Sequence, residues 1–484
     1  MALTTTNIQS FVRRLLDGGV PVIDATHHNW HRYSATYNVR LPVTPAAVVI
    51  PTTLSEIARV VTLAKQHGLK VQARSGGHSY ASYSNGGVDG TVVIDLRRFQ
   101  VVRHGIATPI IAIGSGLRLG NLAKRIYDTN GGPKYALPHG TCAGVGVGGH
   151  FTHGGFGLFS RAWGLAMDRV RSMCVVTADG RWVEANRETN PDLFYAMQGA
   201  ADSFGIATTL QVEAVPAPRS VVHYIVEICD VVKSVESAVN ALCSIQNFTH
   251  NANVVDRNLG FAVRFGPNYI ALEGTYLGDI RHLETTIVPA MLTGIPETPN
   301  NTNIQEVNWL TSLKMLNQNQ EIEIPGEYDG HSNFFAKSIV IPEPGFTVEA
   351  MRSFFTYLLS IGDSRPVDYF ILFDLYGGPD SQVSNKDINY SAFAHRDALW
   401  VVQIYGYANN DQDFPWQGLD FINGLANSIT AYLPRYGAYS NYTDPSLTRA
   451  QAHRLYYGDT LYAKLKDLKS KWDPDNVFAN PQSI

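Results

Sequence analysis

The sequence predicts an α+β protein of two domains. Three observations carry that reading. At 484 residues the chain is too long for one hydrophobic core. Up to about residue 215, short apolar runs alternate with segments of helical period. Beyond V-P-A-P-R (215–219) the strands become longer and farther apart, with helices between them, which predicts an α+β domain on a largely antiparallel sheet. Hydrophobic residues make up 45% and charged residues 17%, the balance of a globular chain rather than a disordered one.

The elements follow in order. Residues 53–68 carry helix punctuation. Thr53 and Glu56 form a capping box, Ile57, Val60, Val61 and Ala64 share one face, and Gly68 ends the helix. K-V-Q-A-R-S (70–75) is a short strand, so the segment R-S-G-G-H-S-Y (74–80) starts where a strand stops. A strand follows at 91–96 and a helix at 117–128. V-R-S-M-C-V-V-T (170–177), A-D-G and R-W-V-E-A (181–185) read as a hairpin around a D-G turn. A short helix with proline in its first turn (191–198) leads into a glycine-bearing turn, G-A-A-D-S-F-G-I (199–206). Strands are expected at 221–228, 269–276, 369–376 and 399–407, loops over 296–332, and a helix at 461–471.

Composition excludes several partners. The net charge is −4 and no basic block exists, which argues against nucleic acid or an anionic membrane surface. No apolar run is long enough to span a bilayer. The first ten residues lack the regions of a signal peptide, so the chain reads as intracellular or as the trimmed form of a secreted protein. Of the cysteines, Cys174 reads as a small hydrophobe in a strand, and Cys229 and Cys243 as free thiols rather than a pair. No cysteine spacing fits zinc, and His150 and His153 lack a glutamate at zincin spacing, so no metal is expected.

The chemistry concentrates in two loops and one sheet. Residues 140–157 hold eight glycines in eighteen positions, together with Cys142, His150 and His153. Glycine this dense costs conformational entropy unless close backbone approach to a ligand compensates. Sixty-four residues before Cys142, His78 sits among small residues in the loop at 74–80. One loop offers an imidazole and the other a thiol, which points to a large anionic cofactor reached by both. In the second domain Glu273, Asp374 and Gln403 each interrupt an apolar strand. Singly, each reads as a residue on a wet strand face. Together they read as the floor of a polar pocket, with Asp374 sharing a face with Phe370, Leu372 and Tyr376.

R-S-G-G-H-S-Y followed by H-G-T-C-A-G-V-G-V-G-G-H-F-T-H-G-G-F-G resembles the vanillyl-alcohol-oxidase-type flavoproteins. Within them the chain is similar to the berberine-bridge-enzyme-like branch, and above all to the fungal glucooligosaccharide and related carbohydrate oxidases. The likeness extends over nearly the whole chain. It includes N-V-R-L-P (38–42), N-F-F-A-K-S (333–338), H-R-D-A-L-W (395–400), N-Y-T-D-P (441–445), Y-Y-G-D (456–459) and the closing F-A-N-P-Q-S-I.

The resemblance implies a two-domain FAD-binding fold of the VAO/PCMH type. Residues 1–217 would form the FAD-binding domain, 218–444 the substrate domain, and 445–484 a return to the FAD domain. His78 would bond to the flavin's benzenoid methyl group and Cys142 to the neighbouring ring carbon. Arg74, Ser75, Gly76, Gly77, Ser79, Gly140, Thr141, Val145, Gly146, Gly149, His150, Gly205 and Ile206 would wrap FAD. Tyr442 would act as general base with Asp374 as its partner, since an unperturbed phenol titrates near pH 10. The sugar's anomeric carbon would pass hydride to the flavin, giving a lactone. Dioxygen would reoxidise the flavin to give hydrogen peroxide, an oxidase outcome favoured by the small Val145 three residues after Cys142. Tyr80, Glu273 and Gln403 match positions lining the sugar cleft. Leu372 stands where sugar oxidases carry glutamine, and Tyr376 where they carry histidine, which makes the pocket more apolar. Two further readings stay open: a flavoenzyme oxidising or cyclising a less polar natural product, and a flavin-bearing binding or storage protein. The enzyme is expected to act as a monomer on an oligosaccharide.

Overall fold

The computed structural model describes residues 5–105, 108–129, 132, 134–266, 269–326, 330–362 and 364–484. Residues 1–4 of the N-terminal stretch and 327–329 of the segment expected to be loops lie outside them.

The N-terminal part is built on two sheets. The first has four strands in the order Val22–Ile23, Ala47–Val49, Val92–Asp95, Val71–Arg74, parallel except for the first pair. The helix Leu54–Gln66 covers it, started by the expected Thr53/Glu56 capping box. The second sheet is antiparallel, in the order Val102–His104, Ile110–Gly114, Ile206–Glu213, Val170–Val176, Trp182–Asn186. Its last two strands are the D-G hairpin, with Gly180 at φ +79° supplying the left-handed turn residue. The C-terminal helix Gly458–Trp472 packs into the same core as this sheet, through Leu461 and Leu465. Phe478 and Val477 insert into the core of the first sheet.

The middle of the chain forms a seven-stranded antiparallel sheet. Its order is Asn301–Val307, Val221–Cys229, Tyr269–Tyr276, Leu259–Phe265, Asp368–Leu375, Ala398–Ala408, Asn333–Pro342. Strand alternation divides its two faces. Tyr224, Val226, Val263, Phe265, Ile270, Leu272, Ile371, Phe373, Val402 and Ile404 point into one core, against the helices Val235–Thr249, Val348–Ile361 and Trp416–Thr430. The opposite face carries the polar residues and looks toward the glycine loops.

The segment expected to be loops is corrected. Residues 301–307 form an edge strand and Trp309–Leu316 a helix capped by Asn308, whose side chain accepts from the Thr311 amide at 3.0 Å. The edge strand is mostly exposed, so its sequence lacks the apolar alternation that marks a strand. All four cysteines are free. Among the described residues no helix is long and apolar enough to cross a membrane.

A buried arginine links the two halves. Arg161, with no exposed surface, donates to the carbonyls of Gly377 (2.9 Å), Asp256 (2.7 Å), Pro379 (3.0 Å) and Leu259. Burial lowers its pKa to about 10, which leaves it charged at neutral pH. Arg161→Met strands four carbonyls and is expected to cost about 3 kcal/mol or more. A lower Tm checks this, with Arg161→Lys falling between the two.

Candidate active site

A cavity of about 1210 Å³ lies between the glycine loops and the polar face of the seven-stranded sheet. That exceeds the roughly 300–1,000 Å³ of an ordinary ligand pocket. Residues 75–80, Gly140, Thr141, Cys142, Val145, Gly146, Gly149, His150, Gly205 and Ile206 all line it. The glycines have two distinct uses. A Cβ on Gly76 or Gly146 would overlap the other residue's backbone nitrogen, so the loops meet main chain to main chain. A Cβ on Gly149 would meet nothing within 4 Å, because that backbone faces the open cavity.

Polar braces hold the loops together. Arg118 Nη1 donates to the carbonyls of Gly76 and, at 2.7 Å, Gly144. Ser75 Oγ donates to the Ser115 carbonyl and accepts from the Gly148 amide at 3.1 Å. His150 Nε2 accepts from the Gly140 amide at 3.1 Å, and burial pulls its pKa down to about 3. It is therefore a neutral ring that ties the start of the loop to the helix Val147–Thr152.

The two candidate tethers are both in the uncharged form. His78 stacks on Tyr37 with ring centroids 4.2 Å apart and 23° between planes. Burial first, and then the Arg118 charge, lower its pKa to about 3, so its ring is neutral. The Cys142 thiol is exposed on the cavity wall, yet the surrounding protein desolvates a thiolate there and pushes its pKa up.

Two expected site residues do not reach the cavity. Arg74 turns its guanidinium to Asp95 (Nε–Oδ2 2.9 Å), the Tyr33 carbonyl (2.8 Å) and Asn85 (3.1 Å), fastening the strand beneath the loop. Tyr376 lies one position past the strand Asp368–Leu375, still on the Asp374 face, and stacks on Phe156 at 3.8 Å. Its side chain is buried in a small aromatic cluster rather than on the pocket floor.

The sheet register explains the chemistry of the floor. Glu273, Ala262 and Asp374 lie side by side on three adjacent strands. Ala262 is too small to separate the two carboxylates. Desolvation, and then the Glu273 charge, raise the Asp374 pKa to about 7. Glu273 is paired with Arg264, at 2.6 Å from Nη2 and 3.1 Å from Nε. The next row reads Arg264, Leu372, Gln403. Leu372 therefore places an apolar gap between a cation and an amide.

Four tyrosines stand over this floor. Tyr442 stacks parallel to Tyr80 (5.3 Å, 14°) and meets Tyr439 edge-on (5.1 Å, 83°). Gln403 Nε2 donates to Tyr80 Oη at 2.7 Å, and Tyr405 is stacked between Phe334 and Phe370. Tyr439 Oη accepts from the Gly155 amide and from Asn441 Nδ2, both at 2.9 Å. Burial, Asp374, Tyr439 and Cys142 raise the Tyr442 pKa well above that of a free phenol. Its oxygen is thus a strong base once a partner takes its proton.

Sequence reasoning missed Tyr37, Arg118 and Arg264. Arg264 breaks an apolar strand as Glu273 does, so the same signal was present. Tyr37 and Arg118 act through a stacked ring and main-chain carbonyls, for which no local pattern exists.

Fold and cavity together define an FAD-linked oxidoreductase. Residues 45–186 match the FAD binding domain family, and residues 438–484 the family described as berberine and berberine like. A carbohydrate oxidase of Microdochium nivale is 33% identical over 497 aligned residues, covering 100% of this chain and 98% of its own. The FAD-linked oxidoreductase dpmaF of Metarhizium anisopliae is 32% identical over 489 residues, covering 99% and 92% respectively. A glucooligosaccharide oxidase from Acremonium strictum, described with a 6-S-cysteinyl, 8α-N1-histidyl FAD, superimposes with a TM-score of 0.92. It is 30% identical, with 98% of this chain and 99% of the other covered. The chain belongs to the berberine-bridge-enzyme-like FAD-linked oxidoreductases, and its cofactor is FAD. The residues present fit that group. The cavity is large, the Gly149 backbone leaves room for close approach, and an imidazole and a thiol face the same space.

The raised Asp374 pKa has a stability consequence. A carboxyl that binds its proton more tightly when folded stabilises fully below its unfolded pKa of 3.8, and loses that contribution as pH rises through about 7. Asp374→Asn should therefore gain Tm over the parent progressively between pH 4 and 7, and level off above. The plateau is at most about 4 kcal/mol. Thermal melts across that pH range check it.

Proposed function

We propose that this enzyme oxidises the anomeric hydroxyl of an oligosaccharide to the lactone, with FAD tethered through His78 and Cys142. The observation that carries the reading is the Tyr442–Asp374 combination in one cavity with the sugar-capable polar groups Tyr80, Gln403 and Glu273. When bound, FAD supplies the acceptor for a hydride and delivers the two electrons to dioxygen, giving hydrogen peroxide.

The protein's own part is positioning and proton transfer. Tyr442 takes the anomeric hydroxyl proton while Asp374 takes the phenolic proton. Asp374 suits this role because its pKa of about 7 lies near the working pH. The Arg264–Glu273 pair and Gln403 orient the ring hydroxyls. Tyr80, held by Gln403, keeps Tyr442 flat against it.

A second reading has its own support. Leu372 and Phe370 line the same wall, and an apolar strip there suits a less polar natural product. Peroxide release with cello-, xylo-, malto- and chito-oligosaccharides separates the two. Turnover of at least one series supports the first reading, and no turnover on any sugar by flavin-loaded protein supports the second.

Tyr442→Phe is expected to lower kcat and kcat/KM together by about 10²–10⁴-fold, with KM close to that of the parent. A loss confined to KM contradicts its role as base. The kcat/KM profile should rise with pH through about 7 as Asp374 ionises. Glu273→Gln should move that limb to lower pH, because it removes a like charge and leaves Arg264 unpaired. Steady-state rates across pH check both.

A further inference from the structure

The two tethering candidates sit on loops that share no secondary structure, and their spacing decides whether one ring system reaches both. One side chain bridges those loops. Arg118 lies at the start of the helix Leu119–Tyr127, and its Nη1 has two hydrogens. One goes to the carbonyl of Gly76, two residues before His78, and the other to the carbonyl of Gly144, two residues after Cys142. The Arg118 main chain also forms a bridge with Gly146, the residue whose backbone abuts Gly76.

We infer that Arg118 is the positioning residue for flavin attachment, setting the distance and orientation between His78 and Cys142 so that both bond to one flavin. This rests on the reading of those two residues as tethers. Three observations support it. Both accepting carbonyls belong to the tether loops themselves. Gly76 and Gly146 pack too closely to admit a methyl group, so the loops have a defined approach for the guanidinium to hold. The Arg118 charge also opposes protonation of His78, leaving a lone pair on the imidazole.

Each attachment balances with dioxygen as oxidant. At His78 the N–H proton and a hydrogen of the flavin methyl group are lost, a C–N bond forms, and the two electrons and two protons reduce dioxygen to hydrogen peroxide. At Cys142 the thiol proton and a ring hydrogen are lost, a C–S bond forms, and dioxygen again becomes hydrogen peroxide.

The test uses Arg118→Met, Arg118→Gln and Arg118→Lys in the full chain, with His78→Ala and Cys142→Ala as references. Bound FAD is measured against protein, and the covalent fraction is what precipitates with the protein in acid. Peptide mass then reports one linkage or two. The parent should carry both linkages and each alanine reference one. Arg118→Met should reduce the doubly linked fraction of bound FAD at least about fivefold, with Arg118→Lys recovering part of it, since an ammonium also donates to two carbonyls. A residue needed only for folding changes Tm and FAD content but not the linkage count per bound FAD. Arg118→Gln, a smaller perturbation, gives the same ratio if Arg118→Met does not fold. Two linkages on all bound FAD in the Gln and Met variants overturn the inference. No covalent flavin in the parent overturns the tether reading itself.

Discussion

Main-chain contact between Gly76 and Gly146 is the constraint on which the site depends. A side chain at either position would push the His78 loop away from the Cys142 loop. Everything that flanks this contact reinforces it. Arg118 holds a carbonyl from each loop, Ser75 joins Ser115 to Gly148, and His150 ties Gly140 to the following helix. The entropy lost in ordering so many glycines is offset by hydrogen bonds that are all intramolecular and largely sheltered from water.

The opposite wall follows a different logic. A sheet with one face in a helix-covered core must present its other face elsewhere, and here that face floors the cavity. Register then decides electrostatics. Because only the small Ala262 lies between Glu273 and Asp374, the carboxylates influence each other, and because Arg264 is diagonal to Glu273, only one of the two is neutralised. Asp374 is left with a pKa near 7, suited to accepting a proton from a phenol. The aromatic groups above it are locked by stacking and by hydrogen bonds from Gln403, Asn441 and Gly155. Tyr442 is therefore held in place by its neighbours rather than by a ligand.

What the sequence made legible was local chemistry. The Thr53 cap, the D-G hairpin and the proline-started helix Pro191–Met197 each have their signal within a few residues. Glu273, Asp374 and Gln403 were visible because polar residues on apolar strands are costly without a use. The edge strand Asn301–Val307 was not visible, since its order comes from pairing with Val221–Cys229 and not from its own pattern. Tyr376 keeps the face that alternation gives it, but stacking on Phe156 takes its side chain off the cavity wall, a tertiary contact that the strand pattern does not announce. Arg74, which the resemblance places with the FAD loop, turns its guanidinium to Asp95, twenty-one positions later, a tertiary pairing with no local signal. Arg118 and Tyr37 serve the site through tertiary contacts, which carry no signature at any fixed spacing.

The central claim is that one isoalloxazine ring is gripped at two points by side chains far apart in the chain. Mass analysis of a proteolytic digest of the purified, flavin-loaded protein tests it most directly. The account predicts a single species in which the peptide bearing His78 and the peptide bearing Cys142 are joined through one FAD. Recovery of both peptides at their unmodified masses, or of flavin on one alone, contradicts it.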